Sequence, residues 1–375
     1  MVKLYMGLDV HKEKTVIALA PAGSQDVEHY GNCSSDMVRL AGSIRKILRK
    51  YDLSKAEVSI CYEAGPCGFA IARHLLGKGF DVIVVAPSLI PTKKGDRVKT
   101  DKRDARKLAR THRSGDLTPV HIPDPADEVI RDLCRARTDA VDDSVRNRQR
   151  LLSFLLRNGH TYTGRSNWTE THLRYLRSLE LNNPVQRLIL EEYLQAVDAG
   201  FERISGLEEH IRDQMQSWHR LPFVHALQGL KGFEFISSMV VASELGDITR
   251  FDHPRKLMAY LGLVPSEESS GDHRRQGPIT KCGNSHVRWM LVEIAGSYRY
   301  APKVSKALSI RQEKLPREVK ELSWRAQKRL CKRYSRLTMR RVHANKIKVA
   351  IARELCSFIW ELAHLMAKMP QPKAV

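Results

Sequence analysis

Short apolar segments alternate with helical segments through the first 120 residues, and this alternation restricts the fold more than any other feature. The segments "KLYMGLDV", "TVIALA" and "VEHYGN" have strand character, and "DMVRLAGSIRKILRKY" has apolar residues at helical spacing. The strands "AEVSICYE" and "DVIVVAP" follow, each succeeded by a helical segment. Three strands, helix, strand, helix, strand, helix is the order of a mixed sheet covered by helices. The sequence therefore predicts an α/β domain at 1–122.

From about residue 123 the chain becomes helical and highly charged, with few strand signals. Val129, Leu133 and Ala140 recur near helical spacing, and a second long helix is predicted at about 184–218. Short polar turns separate the two helices. We predict a helical hairpin or coiled coil at 123–220 that acts as a spacer or an oligomerisation element.

The remaining residues, 221–375, are predicted to form a mostly helical domain that contains one loop-rich stretch, "GLVPSEESSGDHRRQGPITKCGN". From Ala301 onward the chain has 19 Lys and Arg but only 5 Asp and Glu. Trp324, Tyr334 and Trp360 are interleaved with these charges. A folded basic surface for nucleic acid is the preferred interpretation, and a merely solvated charged face is the alternative.

The net charge of +21 indicates an anionic polymer as partner, most commonly nucleic acid. The seven Cys are scattered without a CxxC pair, and Cys61, Cys67 and His74 lack zinc-finger spacing. Reduced cysteines in a cytoplasmic protein are the simpler interpretation. The start of the chain lacks the apolar region of a signal peptide, and no segment approaches the roughly 18 apolar residues of a membrane helix. We therefore expect a cytoplasmic protein without a membrane partner.

Four carboxylates lie in unusual surroundings. Asp9 ends the first strand, on the same alternating face as Gly7, whose missing side chain leaves room for a closely approaching group. Glu63 ends the fourth strand. Asp101 and Asp104 are three apart, and therefore on one face of a helix, inside the basic segment "VKTDKRDARKLAR".

Each carboxylate alone has an ordinary explanation: Asp101 or Glu63 could cap a helix, and Asp104 in the first turn would be favoured by the helix dipole. Together, four converging carboxylates repel one another unless divalent cations neutralise them. Two Mg²⁺ ions about 4 Å apart, for which Mn²⁺ can substitute, would do so and would activate a phosphodiester. The predicted contacts to the nucleic-acid backbone beside this site are Lys93, Lys94, Lys99, Lys102, Arg103 and Arg106.

The loop-rich stretch contains the pair Ser269 and Ser270, followed by Gly271. By chemistry alone this is a weak signal, because Ser-Gly pairs are common in loops and a serine hydroxyl needs activation. Basic residues that could bind a phosphate there are His273, Arg274, Arg275, Lys281 and Arg288. The segment "LQGLKGFEFISS" is predicted to be either a helix-hairpin-helix turn or a plain turn between helices.

Asp on the first strand, Glu on the fourth and Asp-x-x-Asp on a late helix resemble the DEDD domain of RuvC-like proteins, which have the RNase H-like fold. The segments "GLDVHKEKTVIAL", "YEAGPCG", "VKTDKRDARKLAR" and "GLVPSEESSGDHRRQGPITKCGN" are similar to transposases of the insertion-sequence-110 family. The resemblance covers most of the chain, apart from the middle helical section.

This resemblance implies that Ser270, with Ser269 as the fallback, attacks DNA and forms a covalent phosphoserine link. It also implies one composite site built by the DEDD and serine domains of different subunits in a dimer or tetramer. The implied partners are donor DNA, target DNA and a structured bridge RNA, in the nucleoid of a bacterium or archaeon. Here "GDHRR" replaces the commoner Gly-Lys context after the Ser-Gly pair, which leaves open which basic residue assists.

Three functions follow for comparison. The first is a recombinase that mobilises an insertion sequence through a serine. The second is a metal-dependent nuclease of the Holliday-junction-resolvase type, in which water attacks. The third is a basic nucleic-acid-binding scaffold without enzymatic activity, which leaves the acids inside the basic segment unexplained.

Overall fold

The computed structural model describes residues 1–91, 100–270 and 273–369, and it divides the chain into two compact units, Met1–Pro123 and Asp124–Val375. The division predicted above, at 122 and 220, stays a prediction. Among the described residues, no helix combines the length and the apolar character needed to cross a membrane.

The first unit consists of a sheet and three helices. Its strands are β1 (Leu4–Val10), β2 (Lys14–Pro21), β3 (Glu28–Ser34), β4 (Val58–Glu63) and β5 (Asp81–Val85). Its helices are α1 (Met37–Lys50), α2 (Ala70–Gly77) and α3 (Asp101–Arg113).

The five strands lie in the order β3-β2-β1-β4-β5. The central strand β1 is antiparallel to β2 and parallel to β4, where Leu8 lies opposite Tyr62. Strand β3 is antiparallel to β2, and β5 is parallel to β4. The predicted mixed sheet is confirmed, and its order is consistent with an RNase H-like domain.

The two faces of β1 pack against different helices, as the alternation along the strand predicts. Leu4, Met6 and Leu8 are buried in a core that contains the apolar residues of α1 and α2. Tyr5 lies on the opposite face, in a small cluster with Ala105 of α3. The sheet is therefore covered on both sides: α1 and α2 pack on the face of Leu4, Met6 and Leu8, and α3 packs on the face of Tyr5.

Gly7 is the closest point between β1 and α3. A Cβ atom built on Gly7 would lie 2.4 Å from the carbonyl oxygen of Ala105 and 2.4 Å from the backbone nitrogen of Ala109. Real carbon atoms do not approach backbone so closely, so only glycine permits this packing distance. The close-approaching group expected beside Gly7 is thus the backbone of a helix.

The second unit is mostly helical. Its helices are α4 (Pro125–Arg157), α5 (Glu170–Arg177), α6 (Pro184–Gln214), α7 (Leu221–Gln228), α8 (Phe235–Leu245), α9 (Pro254–Tyr260), α10 (Ser285–Ala295), α11 (Lys306–Gln312), α12 (Arg317–Met339) and α13 (Ala344–Lys368). Strands β6 (Pro265–Ser270) and β7 (His273–Ile279) form an antiparallel hairpin. The prediction of a loop was therefore wrong for this stretch.

Helices α4 and α6 pack against each other and run in opposite directions. Arg137 of α4 binds Glu208 of α6, whereas Asn158, just after α4, accepts a hydrogen bond from Gln186 near the start of α6. The predicted apolar stripe of α4 was wrong at Val129, which is 67% exposed, while the adjacent Ile130 is buried. Whether this pair serves as a coiled-coil spacer stays a prediction.

Gly7→Ala is expected to destabilise the protein by about 1–3 kcal/mol, because the new methyl group forces α3 away from the sheet. Urea unfolding measures the change. Gly42→Ala is the matched control: Gly42 lies within α1, with open space around its added Cβ, so we expect a gain of about 0.5–1 kcal/mol. Equal effects of the two substitutions would contradict the close packing of α3.

Candidate functional site

Asp9 and Glu63 lie side by side at one edge of the sheet. In the parallel pair β1–β4, the last matched residues are Leu8 and Tyr62, and each carboxylate is the next residue on its strand. Neighbouring strands are about 4.8 Å apart. The predicted convergence of these two strand ends is therefore present in the backbone.

Both carboxylates belong to the face of the sheet that α3 covers. On β4, Ser59 and Cys61 share the alternating face of Glu63; the Ser59 hydroxyl lies 2.8 Å from Nε2 of His112, and the Cys61 thiol donates to the Leu108 carbonyl. His112 is near the end of α3. The helix thus crosses the sheet so that its first turn lies at the carboxyl ends of β1 and β4.

The first turn of α3 places Asp101 beside Asp9. Donor atoms of Asp9, His11 and Asp101 all lie within 4.8 Å of one another. Among the described residues, Glu63 and Asp104 do not join this group of donor atoms, although the charge of Asp104 acts on Asp9. Of the four predicted carboxylates, the structure therefore places Asp9 and Asp101 together, with His11 between them.

His11 and Lys14 are the site residues that the sequence analysis missed. His11 Nε2 lies 3.2 Å from Asp9 Oδ2 and 3.6 Å from Asp101 Oδ1, and Lys14 Nζ lies 3.0 Å from Asp101 Oδ2. His11 lies in the turn between β1 and β2, and Lys14 is the first residue of β2. The available signal was "DVHKEK", where a histidine follows a strand-ending aspartate by two residues.

The two aspartates have opposite electrostatic environments. Burial raises the pKa of Asp9 above its ordinary value; the contact with His11 opposes this rise, and the charges of Asp101 and Asp104 add to it. The Lys14 ammonium, by its hydrogen bond and its charge, holds the pKa of Asp101 below its ordinary value. Of these two aspartates, Asp9 therefore benefits more from an added positive charge.

Helix capping does not account for the acids. The N-cap of α3 is Thr100, whose side chain accepts from the Arg103 backbone N–H, and Asp101 is the first residue within the helix. At α2 the N-cap position is Phe69, so Glu63 does not cap that helix. The alternative explanations for Asp101 and Glu63 as caps are wrong.

The basic residues predicted to hold nucleic acid are partly described. On α3, Lys102, Arg103 and Arg106 are exposed beside the carboxylates. Lys93, Lys94 and Lys99 lie outside the described residues. The exposed side of the first turns of α3 thus carries positive charge next to the negative cluster, an arrangement that suits a phosphate backbone above a cation site.

The serine pair lies on the hairpin of the second unit. Ser269 pairs with Arg274 and Ser270 with His273 across β6 and β7, at the end of the hairpin distant from its base. The side chains of these four residues lie outside the described part of the structure. Arg275, the next predicted phosphate ligand, is exposed.

Two glycines close the base of the hairpin. Gly262 and Gly283 both have positive φ; a Cβ on Gly262 would lie 2.4 Å from the Cys282 carbonyl oxygen, and one on Gly283 would lie 1.9 Å from that of Tyr260. Arg288 donates to the carbonyls of Leu261 and Cys282, each at 2.9 Å. Arg288 therefore braces the base of the hairpin.

Lys281, the remaining predicted phosphate ligand, is exposed on this base. Its φ of 56° puts it in the left-handed region, which is uncommon for a residue other than glycine. The Lys281 backbone N–H donates to the Gly262 carbonyl at 3.1 Å. The backbone on both sides of the lysine is thus fixed, while its side chain faces solvent.

A buried carboxylate holds the loop after the hairpin. Glu244 of α8 accepts two hydrogen bonds from Arg135 of α4, at 2.6 and 2.9 Å, and one from Asn284 at 2.7 Å. Asn284 in turn caps α10 by accepting from the Val287 backbone N–H. The sequence analysis missed this network, which ties the end of "ITKCGN" to two helices.

The segment "LQGLKGFEFISS" is a turn between α7 and α8 whose glycines are used for internal packing. A Cβ on Gly229 would lie 2.5 Å from Leu315, and one on Gly232 would lie 2.4 Å from Ser297. The Gly229 carbonyl accepts from Gln312 and Ser323. These contacts favour the plain helix–helix turn over a phosphate-binding one.

Asp9→Asn is expected to raise the melting temperature in EDTA at pH 7.5, by on the order of 2 °C. Because the pKa of Asp9 is raised on folding, its ionised form costs stability above the folded pKa, and the cost fades as pH falls towards the ordinary value of 3.8. The gain should therefore shrink at lower pH. Asp26→Asn, at an exposed carboxylate of the same unit, should have little effect. A lower melting temperature for Asp9→Asn would contradict this electrostatic account.

Glu244→Gln is expected to destabilise the second unit by about 1–3 kcal/mol, because Arg135 loses its counter-charge. Burial opposes ionisation of Glu244, but Arg135 and Asn284 hold its pKa below the ordinary value. The lost stability should therefore be largest near neutral pH and diminish as pH falls through that pKa. Glu361→Gln, which breaks the exposed pair with Arg325, should cost less than about 1 kcal/mol in urea unfolding.

Comparisons with known proteins identify the family of the chain. A family model described as Transposase IS116/IS110/IS902 family matches residues 224–308, and a DEDD transposase model of the IS110 group matches residues 6–158. The second match contains all four carboxylates, and a DEDD domain indicates a divalent metal.

Curated relatives extend the likeness over nearly the whole chain. The chain is 40% identical to the putative transposase y4qE of Sinorhizobium fredii (strain NBRC 101917 / NGR234), over 96% of this chain and 88% of that protein. It is 29% identical to the transposase for insertion sequence element IS1533 of Leptospira borgpetersenii, over 90% of this chain and 98% of that protein. The chain therefore belongs to the IS110 family of transposases, enzymes of insertion sequences that cleave and rejoin DNA.

Proposed function

We propose that this transposase mobilises its insertion sequence with two chemical centres, a carboxylate metal site and a serine nucleophile. The metal site consists of Asp9, Glu63, Asp101 and Asp104. The observation that carries the proposal is the convergence of Asp9, His11 and Asp101 donor atoms within 4.8 Å at the sheet edge. The carboxylate oxygens of this group fit a hard divalent cation, and we assign Mg²⁺, with two ions bound and Mn²⁺ able to substitute.

Two such ions would supply Lewis-acid stabilisation for the phosphorus under attack. The residues of the chain provide the rest. Asp9 and Asp101 would hold the cation. Because burial raises the pKa of Asp9, a bound cation would stabilise the ionised form of this carboxylate. Lys102, Arg103 and Arg106 bind the DNA backbone beside the cut.

The nucleophile is Ser270, with Ser269 as the fallback. A bond forms from the serine oxygen to phosphorus as the bond from phosphorus to a deoxyribose oxygen breaks. The serine proton passes to solvent or a neighbouring base, and the departing oxygen takes up a proton. Because the phosphodiester is conserved in the phosphoserine link, the reverse attack rejoins DNA without an external energy source. Arg274, Arg275 and Lys281 stabilise the phosphate charge, while Arg288 holds the hairpin base.

The working assembly is a dimer or tetramer in which the DEDD domain of one subunit and the serine domain of another form one site. Support comes from Val185, Leu188 and Ile189 at the start of α6, which are 63%, 57% and 36% exposed at helical spacing, and from Leu156 of α4, 68% exposed. Exposed apolar residues on paired helices suit subunit contact. The hairpin of α4 and α6 then acts as a spacer between catalytic domains.

The nucleic-acid partners are donor DNA, target DNA and a structured bridge RNA that selects both by base pairing. The charge of +21 supports extensive contact with phosphate backbones. On α12 and α13 part of this charge is paired, since Arg329 and Arg333 both bind Glu354. Arg317 and Arg325 are likewise paired, with Glu321 and Glu361. We assign the backbone contacts to the basic residues of this region that exceed its few acids.

A suicide DNA substrate, nicked so that the cleaved product diffuses away, tests the serine. We expect wild-type protein to form a covalent adduct that phosphodiesterase digestion traces to Ser270. Ser270→Ala should reduce adduct formation by on the order of 10⁴-fold or more, because removing a nucleophile removes the covalent route. Asp9→Ala should abolish strand cleavage while DNA binding survives.

Ser266→Ala is the matched control, since the Ser266 hydroxyl is used within the hairpin, donating to the Pro278 carbonyl. It should retain adduct formation. If Ser269→Ala and Ser270→Ala both recombine normally, the serine is not the nucleophile. Metal-dependent hydrolysis without any adduct would instead favour attack by water, as in the resolvase-type nuclease.

A further inference from the structure

His11 lies between two carboxylates at distances close to those that separate neighbouring ligands of one metal ion. Around an octahedral ion with bonds of about 2.1 Å, adjacent ligand atoms lie about 3.0 Å apart. His11 Nε2 lies 3.2 Å from Asp9 Oδ2 and 3.6 Å from Asp101 Oδ1. The imidazole nitrogen is thus spaced from both oxygens nearly as neighbouring ligands of one ion would be.

The backbone around His11 fixes its position. The His11 N–H donates to the Lys14 carbonyl at 3.0 Å, and its own carbonyl accepts from the Ser35 hydroxyl at 2.6 Å. That hydroxyl also lies 2.8 Å from the Thr15 hydroxyl, which is buried. The side chain of His11 is half exposed. The turn is therefore anchored to β2 and to the end of β3, while the imidazole remains accessible to a cation from solvent.

We propose that His11 is a protein ligand, through Nε2, of the divalent cation held by Asp9 and Asp101, and that it biases this site towards Mn²⁺ over Mg²⁺. The inference rests on the metal site of the proposed function and deepens it. Imidazole nitrogen binds Mn²⁺ and later transition metals better than Mg²⁺, which prefers oxygen and retains its waters. A mixed nitrogen–oxygen set therefore distinguishes the two ions, whereas carboxylates alone do so weakly.

Lys14 provides the opposing charge at the same site. Its ammonium lies 3.0 Å from Asp101 Oδ2, so it neutralises a carboxylate that a cation also attracts. Removing this ammonium should strengthen the binding of every divalent ion by a similar factor. Lys14→Met is therefore a matched variant: it alters the charge of the site without altering its nitrogen ligand.

Full-length protein with Mn²⁺ alone as the probe allows a direct test. Electron spin-echo spectroscopy should detect nitrogen coupled to bound Mn²⁺ in the wild type and in Lys14→Met, and the coupling should disappear in His11→Ala. In titrations followed by the Mn²⁺ resonance, with Mg²⁺ as competitor, His11→Ala should weaken Mn²⁺ binding by about tenfold or more and Mg²⁺ binding by less than about threefold. His11→Gln provides a second variant if His11→Ala fails to fold.

The outcomes separate this inference from the proposed function. Mn²⁺ that binds in an Asp9-dependent manner without nitrogen coupling would overturn the role of His11 and leave the carboxylate site intact. Equal weakening of both ions in His11→Ala would also overturn it, since His11 would then act only as a hydrogen-bond partner of Asp9. If neither Mn²⁺ nor Mg²⁺ binds wild-type protein with DNA present, both the role of His11 and the proposed metal site are overturned.

Discussion

The contact between the backbone of α3 and Gly7 is the constraint on which the first unit depends. Tyr5 and Asp9 on that face of β1 have side chains, whereas a Cβ atom on Gly7 would lie only 2.4 Å from the backbone of Ala105 and of Ala109, so the contact exists only because glycine has none. This contact sets the distance between α3 and the sheet, and hence the position of the first turn of α3. The position of Asp101 relative to Asp9 is a consequence of packing four residues further along the helix.

The cost of assembling this site is electrostatic, and the protein reduces it only partly. Asp9 is partly buried, which raises its pKa, and two neighbouring acids add to the rise, while the Lys14 ammonium neutralises Asp101 from the solvent side. His11 approaches both carboxylates. A cation would relieve the remaining repulsion, so the site is a local exception to the rule that stable folds pair their charges. Such exceptions are common where chemistry occurs.

Much of the first unit could be predicted because its signals are local. Alternation in "KLYMGLDV" correctly separates Leu4, Met6 and Leu8 from the face of Asp9, and strand order brings Asp9 beside Glu63. The roles of His11 and Lys14 could not be predicted, since they depend on a turn whose direction is set by bonds to β2 and Ser35. Spacing along a chain does not give the direction in which a turn presents its side chains.

The second unit was harder to predict because its decisive contacts lie far apart in sequence. The hairpin strands "PSEESS" and "HRRQGPI" lack apolar alternation, so nothing local identifies them; their base is instead fixed by Gly262 and Gly283 packing against distant backbone. A two-stranded hairpin is marginal alone. The network from Arg135 through Glu244 to Asn284 supplies the missing anchor, 109 and 40 residues apart. The glycines and the buried carboxylate thus explain why a polar hairpin can project from a defined base.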